Sequence, residues 1–280
     1  MNKLLKLKNF PLIRQFRMKF YRKIIRFFFI FFNPNYKVLK EFKSYSLILD
    51  LSKQTQFRMN YFRYEIENML FSKKVTKNKD LIVEIGSHIG FFTVFFASLA
   101  KKGKVLAFEP EKNNFHSLKQ NVELNSFSNN VKIYNCAIGE KTSKKYFVLN
   151  NDNDGGHKIF KDKNSLDYMV DYTILNKKIE VYPLSKFSRN IDGKIKILKI
   201  DTEGYEEDVL KGCKSILSSK IFKPKYIIVE TVDIKGLQVI YKYLNKFNYK
   251  ILEPKKMESY DLLSYLELNK KLSYETIFSS

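Results

Sequence analysis

The chain has 280 residues, of which 51 are Lys or Arg and 29 are Asp or Glu, so its formal net charge is +22. The first 40 residues hold 11 basic side chains and no acidic one, and the remaining charge is scattered without the arginine-rich, aromatic surface that would indicate nucleic-acid binding. The two cysteines, Cys136 and Cys213, exclude a zinc motif or a disulfide scaffold and favour reduced thiols in the cytoplasm.

Residues 1–57 are predicted to form a basic, amphipathic helical extension ahead of one domain spanning residues 58–280. Between Ile13 and Phe31, apolar side chains recur on one helical face and basic side chains lie mostly opposite. This pattern is typical of a helix lying on an anionic membrane surface, and it equally suits a helix packed on protein. The apolar run Phe27–Phe32 is too short to span a bilayer. We therefore expect residues 1–32 to make peripheral membrane contact or to pack on the domain or a second subunit.

The most informative stretch runs from Leu81 to Pro110. Leu81–Ile85 is a short apolar run typical of a buried parallel strand, and Gly86 turns the chain after it. Phenylalanines at helical spacing follow Gly90 and predict a helix that begins near Ile89. A second strand, Lys104–Phe108, ends in Glu109, where a carboxylate can accept hydrogen bonds from two ribose hydroxyls. This succession of strand, glycine loop, helix and acid-tipped strand predicts the nucleoside-binding half of a doubly wound α/β sheet.

The loop does not suit a dinucleotide. Reading from Gly86, the second and third glycines of a G-x-G-x-x-G fingerprint are replaced by His88 and Phe91. The loop instead reads Glu84-x-Gly86-x-x-x-Gly90, with an acid at the strand end that can face a cationic amino group. This polarity favours S-adenosyl-L-methionine (SAM) as the ligand.

With these residues, the chain resembles the FkbM-type family of SAM-dependent methyltransferases from about Arg58 to about Glu253. The segments that carry the resemblance are VEIGSHIG, AFEP, NCAIGE and KIDTEGYEEDVLKG, in the family's order. The departures are Glu84 for the usual Asp, Ser87 for Ala and His88 for Asn. The resemblance implies a class I, Rossmann-like methyltransferase fold. With the residues already named, it predicts that the cofactor is bound by Glu84, Gly86, Ser87, His88, Gly90, Glu109, Pro110, Asn135, Cys136 and Ala137.

The rest of the chain alternates between predicted helices and strands. Predicted helices cover Glu111–Asn125, Tyr205–Leu217 and a segment through Ile240 and Leu244. Predicted strands are Val131–Tyr134, Lys145–Leu149, Ile179–Pro183, Ile195–Ile200, Tyr226–Val229 and Tyr249–Leu252. Tyr274–Phe278 is expected to be an antiparallel edge strand.

Acidic side chains follow the predicted strands, and open sheets of this type bind ligands beyond those strand ends. Methyl transfer to a hydroxyl needs a group that takes the hydroxyl proton. Asp201 and Glu203, just past one strand, are candidates, although Glu203 equally suits a cap on the following helix. The insertion NDNDGGHKIF adds His157 as an alternative base, and it also reads as a polar hairpin tip.

The sequence thus predicts a SAM-dependent O-methyltransferase. The resemblance suggests a sugar hydroxyl of a cell-surface glycan or its lipid-linked precursor. We expect the enzyme in the cytoplasm, either free or at the inner face of the membrane. Methylation of a small secondary metabolite and an inactive, membrane-associated binding protein with this fold remain as alternatives. No metal site is expected, because no compact ligand motif is present.

Overall fold

The computed structural model describes residues 36–62, 64–150, 153–159, 172–174, 178–231, 233–261 and 275–280, together with Phe31 and Tyr265. The amphipathic pattern predicted within residues 1–32 therefore lies outside the described residues except for Phe31. The strands are β1 (Lys37–Glu41), β2 (Ser46–Asp50), β3 (Leu81–Ile85), β4 (Lys104–Phe108), β5 (Val131–Tyr134), β6 (Ala137–Ile138), β7 (Ser143–Lys145), β8 (Phe147–Asn150), β9 (Lys158–Ile159), β10 (Tyr172–Ile174), β11 (Ile179–Tyr182), β12 (Ile195–Ile200), β13 (Tyr226–Glu230), β14 (Lys250–Glu253), β15 (Glu258–Tyr260) and β16 (Glu275–Ser279). The helices are α1 (Gln54–Tyr61), α2 (Ile66–Val75), α3 (Phe91–Leu99), α4 (Lys112–Leu124), α5 (Glu206–Gly212), α6 (Lys214–Leu217) and α7 (Ile234–Asn245), with a 3-10 helix at Leu184–Asn190.

The largest sheet has eight described strands in the order β15-β14-β16-β13-β12-β3-β4-β5. All neighbours from β13 to β5 are parallel, whereas β16 is antiparallel to β13 and β14, and β15 is antiparallel to β14. The strand order reverses direction between β3 and β12, and such a switch point opens a crevice at the carboxyl ends of the strands. The predicted α/β, doubly wound, Rossmann-like fold is confirmed.

The sheet is covered on both faces, which explains the continuous apolar run of β3. All five residues of β3 are buried. Ile82 belongs to the core under α3 and the β1-β2 hairpin, whereas Val83 belongs to the core under α5 and α7. Successive side chains of a strand point to opposite faces, so a strand between two layers is apolar throughout.

The β1-β2 hairpin lies within residues 1–57, where the sequence predicted a helical extension. Asn121 of α4 and Asn125, the residue just after α4, hold it: Asn121 Oδ1 accepts from the Ile48 N–H at 2.7 Å, and Asn125 Oδ1 accepts from the Ser46 N–H at 2.7 Å. Asn121 Nδ2 also donates to the Ile89 carbonyl at 2.9 Å, so the same side chain contacts the loop after β3. Residues 37–57 are therefore packed on the fold, and the domain boundary after residue 57 stays a prediction.

The sequence predicts that the last strand is antiparallel and lies at the edge of the sheet, and the predicted edge position is wrong. β16 is antiparallel, but it pairs with β13 on one side and β14 on the other, while β15 forms the edge. The partner of a strand is a long-range property, so the alternation within Tyr274–Phe278 could not reveal it.

The predicted helix Tyr205–Leu217 is interrupted, since α5 ends at Gly212 and α6 begins at Lys214. A Cβ on Gly212 would lie 2.1 Å from the Gly139 carbonyl oxygen, so the glycine lets this helix approach the chain beyond β6. The predicted strand Lys145–Leu149 is also divided. β7 pairs with β11, whereas β8 pairs with β9 and β10, so the chain changes partners at Tyr146.

Candidate functional site

A cavity of about 430 Å³ lies at the carboxyl ends of β3, β4, β12 and β13. Residues 153–159 of the insertion and the segment from α1 to the start of α2 contribute the opposite wall. This is where a doubly wound sheet binds its ligand. The lining includes six carboxyl side chains, at Glu65, Glu109, Asp154, Asp201, Glu203 and Glu230.

The loop after β3 is held by backbone contacts. The N–H groups of Gly86 and Ser87 both donate to the Phe108 carbonyl, at 2.9 and 3.0 Å. Gly86 has φ +86°, and a Cβ there would lie 1.7 Å from the Asp201 carbonyl oxygen. Only glycine lets the loop turn this close to the end of β12, and the turn exposes backbone to the cavity.

Glu109 lies at the tip of β4 with only 5% of its surface exposed. Its Oε2 accepts from the His88 N–H at 2.8 Å, and its Oε1 accepts from the Glu111 N–H at 2.9 Å. Burial raises the pKa of this carboxyl to about 7, although both backbone donors and the nearby His88 oppose the rise. A carboxylate has about four acceptor sites, so two are left for ligand hydroxyls.

An apolar slot lies beside Glu109. It is lined by Phe108, Cys136, Ala137 and Ile138. The Phe108 ring stacks on Tyr134 with centroids 4.8 Å apart, and burial raises the pKa of the Cys136 thiol to about 12. A neutral thiol and a braced aromatic ring make this wall suitable for a flat, uncharged base.

Three acidic side chains surround the buried Lys199, whose side chain is 3% exposed. Its ammonium lies 2.8 Å from Asp201 Oδ2 and 3.4 Å from Glu65 Oε2. Glu84 is its cross-strand partner on β3 and accepts from Thr93 Oγ1 at 2.5 Å. Burial raises the pKa of Glu84 to about 8, even though Lys199 and Thr93 oppose the rise. One cation is therefore shared among several carboxyl groups.

Asp201 and Glu230, at the ends of adjacent strands, form a hydrogen-bonded carboxyl pair. Burial would raise the pKa of Asp201, but Lys199 and the hydrogen bond from Glu230 bring it below its ordinary value. Burial and the charge of Asp201 raise the pKa of Glu230. The two carboxyl groups therefore titrate as a pair, in which the Asp201 carboxylate is favoured and ionisation of Glu230 is opposed.

The loop from Asp201 to Gly204 presents Glu203 to the cavity. Glu203 and Gly204 both have left-handed backbones, with φ of +52° and +98°. Glu206 Oε1 accepts from the N–H groups of Thr202 and Gly204, at 3.1 and 2.9 Å, and from the Thr202 hydroxyl. Glu206 thus holds this loop. The cap position of α5 is Tyr205 and not Glu203, whose half-buried carboxyl is left facing the cavity.

His157 also lines the cavity, but its tautomer is constrained. The Asn150 N–H donates to His157 Nδ1 at 3.0 Å, so the neutral ring carries its proton on Nε2. Burial lowers its pKa. Because the Nδ1 lone pair already accepts the Asn150 N–H, the ring can offer only its Nε2–H to the cavity, as a hydrogen-bond donor.

Six of the ten predicted cofactor-binding residues line the cavity: Gly86, His88, Glu109, Pro110, Cys136 and Ala137. The three predicted catalytic residues, Asp201, Glu203 and His157, line it as well. Glu84, Ser87, Gly90 and Asn135 lie outside the lining. Asn135 Nδ2 donates to the carbonyls of Glu109 and Pro110, and Gly90 allows a left-handed turn against Leu118. These four support the walls in this structure, and their predicted ligand contacts stay predictions.

The sequence reasoning did not identify the wall made by α1 and the start of α2. Arg58, Tyr64 and Glu65 line the cavity, and the Arg58 guanidinium carbon lies 5.6 Å from the centre of the Tyr64 ring. Asp154 was also not singled out, although it is buried between the insertion and the loop after β3. No local pattern marks these residues, because long-range folding brings them to the cavity.

The cavity fits SAM on three independent grounds. Gly86 leaves space that a side chain would fill, Glu109 has free acceptor sites for ribose hydroxyls, and the slot at Phe108 suits adenine. Six carboxyl groups among the lining residues also favour a ligand that carries positive charge, as the ammonium and sulfonium of SAM do.

Within the described residues, no group of three or more His, Cys, Asp or Glu side chains is arranged to hold a metal ion. In the same part of the chain, no helix combines the length and apolar character that crossing a bilayer requires.

Two curated proteins that are similar to this chain are named as methyltransferases. "Methyltransferase 1" of Beauveria bassiana (strain ARSEF 2860) is 28% identical over 167 residues, which cover 55% of this chain and 66% of that protein. "Methyltransferase sdnD" of Sordaria araneosa is 25% identical over 198 residues, covering 62% of this chain and 72% of that protein. The chain thus spans just under two thirds of the Beauveria protein.

The solved structure of a methyltransferase FkbM from Methylobacillus flagellatus KT is 16% identical and covers 80% of this chain and 46% of that chain, with a TM-score of 0.46. The family assignment does not depend on this likeness. The family model of the methyltransferase FkbM domain matches residues 84–251, more than half of the chain. The chain therefore belongs to the FkbM family of methyltransferases, and its cofactor is S-adenosyl-L-methionine, as the sequence predicts.

Proposed function

We propose that the protein is an O-methyltransferase that transfers the methyl group of SAM to a hydroxyl of a saccharide acceptor, such as a cell-surface glycan or its lipid-linked precursor. When bound, SAM supplies an electrophilic methyl group on a positively charged sulfur. The residues of this chain must then orient the acceptor hydroxyl and take up its proton.

The observation that carries the proposal is the state of Glu203. Among the described residues, no hydrogen bond or ion pair occupies its carboxyl group, which faces the cavity. Burial and the charge of Asp201 raise its pKa to about 7. A base with a pKa close to the working pH combines a useful ionised fraction with a useful affinity for the proton. Glu203 is therefore our candidate for the general base.

The other two predicted catalytic residues suit different tasks. Asp201 is paired with Lys199 and receives a hydrogen bond from Glu230, which makes it a weak base. His157 uses its Nδ1 lone pair on a backbone N–H, so its Nε2–H is suited to donate to an acceptor oxygen. We assign Asp201 to binding cationic or hydroxyl groups and His157 to orienting the acceptor.

Several donors and acceptors around Glu203 suit an acceptor with neighbouring hydroxyls. Glu65 and Glu230 add carboxyl groups, whereas His157 and Arg58 add donors. The segment after β12 reads Asp201-Thr202-Glu203-Gly204, where N-P-P-Y would indicate amine methylation. These features support a hydroxyl acceptor. A small hydroxylated metabolite is the second candidate, because the names of the Beauveria and Sordaria relatives specify no acceptor.

The location of the protein is part of the same proposal. A lipid-linked acceptor would be met at the cytoplasmic face of a membrane, and the basic, aromatic pattern of residues 1–32 suits that surface. The segment's contact with a membrane stays a prediction.

The test is transfer of a radiolabelled methyl group from SAM to a panel of acceptors. Neutral oligosaccharides, lipid-linked saccharides, small phenols and primary amines are compared, and labelled products are treated with alkali to separate stable ethers from labile methyl esters. Alkali-stable label on a saccharide hydroxyl is expected. Label on an amine or as an ester would contradict O-methyl transfer to a hydroxyl. Tight SAM binding with no transfer to any member would favour the inactive binding protein.

A further inference from the structure

Asp154 joins three parts of the chain that are distant in sequence. Its side chain is only 7% exposed. Oδ1 accepts from the Thr55 N–H at 2.9 Å, and Oδ2 accepts from Gln56 Nε2 at 3.0 Å. The same Oδ2 lies 3.0 Å from His88 Nε2 in the loop after β3. The insertion, the start of α1 and the cofactor loop therefore meet at one carboxylate.

The partners of Asp154 are themselves fixed. Gln56 Oε1 accepts from the Asp50 N–H at 2.7 Å, which turns its amide nitrogen towards Asp154. Next to it, the Thr55 hydroxyl donates to Asn153 Oδ1 at 2.5 Å. Asn114 Nδ2 of α4 donates to the Asp154 carbonyl at 3.3 Å. Contacts from α1 and α4 thus hold residues 153–155 in one position over the cavity.

On the cofactor side, the same chain of contacts reaches Glu109. The His88 N–H donates to Glu109 Oε2, while the His88 ring contacts Asp154. His88 has φ +50°, a left-handed conformation that a non-glycine residue adopts only when its surroundings hold it. A continuous path of hydrogen bonds runs from Glu109 through His88 to Asp154.

We propose that Asp154 is a positioning residue that fixes the His88 ring and so sets the cofactor loop, and with it Glu109, for SAM binding. The proposal rests on the cofactor site and not on the nature of the acceptor. Its failure is therefore separate from a failure of O-methyl transfer.

The charges around His88 give the proposal a spectroscopic signature. Burial lowers the pKa of the ring, but the hydrogen bond and charge of Asp154 more than reverse this, with help from Glu109 and Asp201. The titratable groups that act on or respond to the ring are Asp154, Glu109, Asp201, Glu203 and His157. Because Asp154 acts on the ring both by hydrogen bond and by charge, its neutralisation is expected to lower the His88 pKa.

The test compares Asp154→Asn, His88→Gln and the surface control Asp192→Asn, which removes an exposed partner of Lys104. Calorimetry measures the affinities for SAM and its demethylated product, and NMR follows the titration of the histidine rings, of which the chain has only three. Asp154→Asn is expected to weaken both ligands about tenfold and to lower the His88 midpoint by about one pH unit. His88→Gln, whose longer amide can occupy the position of Nε2 and still bond to Asp154, should bind both ligands more tightly than Asp154→Asn, and the control Asp192→Asn should bind them within about threefold of the wild type.

Unchanged affinity in Asp154→Asn, or weaker affinity with an unchanged His88 titration, would overturn the proposal. If Asp154→Asn does not fold, the SAM affinity of His88→Ala, measured in the otherwise native chain, tests the proposal instead. Affinity about tenfold weaker than that of His88→Gln supports positioning through the side-chain contact to Asp154. Equal affinity of the two variants overturns it.

Discussion

The two sides of the cavity are built in different ways. On the sheet side, the loop after β3 is fixed by backbone hydrogen bonds to Phe108 and by the absence of a side chain at Gly86. On the opposite side, residues 153–159 are held by side chains, chiefly Asp154 and its partners on α1. Backbone contacts do not depend on side-chain identity, whereas side-chain contacts change with single substitutions. We therefore expect the cofactor to bind mainly on the sheet side, which is the rigid side, and the opposite side to contribute to recognition of the acceptor.

Gly86→Ala breaks the rigid side and should have the largest effect. Its Cβ would lie 1.7 Å from the Asp201 carbonyl oxygen, in a residue with φ +86°. We expect SAM affinity to fall by more than about a thousandfold or the fold to be lost, because the backbone must move. Gly204→Ala is the matched control, since its φ is +98° and nothing lies within 4 Å of the added Cβ. It should cost about 1–2 kcal/mol of unfolding free energy, the strain of an L-residue at positive φ, and leave SAM affinity little changed. Equal thermal stability and SAM affinity in the two variants would contradict the steric account.

Glu203→Gln tests the chemistry between the two sides. Removing a general base is expected to lower kcat about a hundredfold or more, with SAM affinity little changed. Since burial raises the pKa of Glu203 to about 7, the wild-type kcat should rise with pH through about 7, as the carboxylate form appears. The variant should lose this dependence. The measurement is a full pH profile of kcat for the wild type and for Glu203→Gln. If kcat of the variant still rises with pH through about 7, Glu203 is not the general base.

Glu109→Gln probes the rigid side without a steric change. The amide keeps one acceptor oxygen, but it cannot serve both backbone N–H groups and ribose hydroxyls. We expect SAM and its demethylated product to bind about thirtyfold more weakly, the cost of losing a charged hydrogen bond. Titration calorimetry measures both affinities. If only kcat falls while both affinities stay at the wild-type value, Glu109 does not bind ribose.

The pH dependence of SAM affinity is the smallest predicted effect. Burial raises the pKa of Glu109 to about 7, and ribose hydroxyls bind the carboxylate form. Below pH 7, binding must therefore release a proton, so affinity should rise by about tenfold from pH 6 to pH 8 and then level off. Glu109→Gln should remove most of this rise. Affinity that falls over the same range in the wild type would contradict the assignment.

The same contrast between the two sides explains what the sequence could predict. Local patterns identified β3, β4, Gly86 and Glu109, because an apolar strand, a glycine turn and a terminal acid are neighbours in the chain. The β1-β2 hairpin depends on Asn121 and Asn125, more than 70 residues away, and no local signal marks that contact.

Two further features that the sequence did not predict, the interior position of β16 and the burial of Asp154, have the same physical cause. The position of β16 depends on which strands it meets, and its own alternation is the same at an edge or inside a sheet. Asp154 lies in a polar turn whose composition is typical of a surface loop, yet it is buried because α1 and His88 supply its partners. Residues that act through long-range partners become visible only in the folded structure.

The most direct test of the account is an equilibrium titration of the full chain with SAM, beside NAD⁺ under the same conditions. The loop lacks the second and third glycines of a dinucleotide fingerprint, while Gly86, Glu109 and the slot at Phe108 suit SAM. We expect saturable binding of one SAM per chain and no measurable binding of NAD⁺. No binding of SAM, or binding of NAD⁺ with equal affinity, would contradict it.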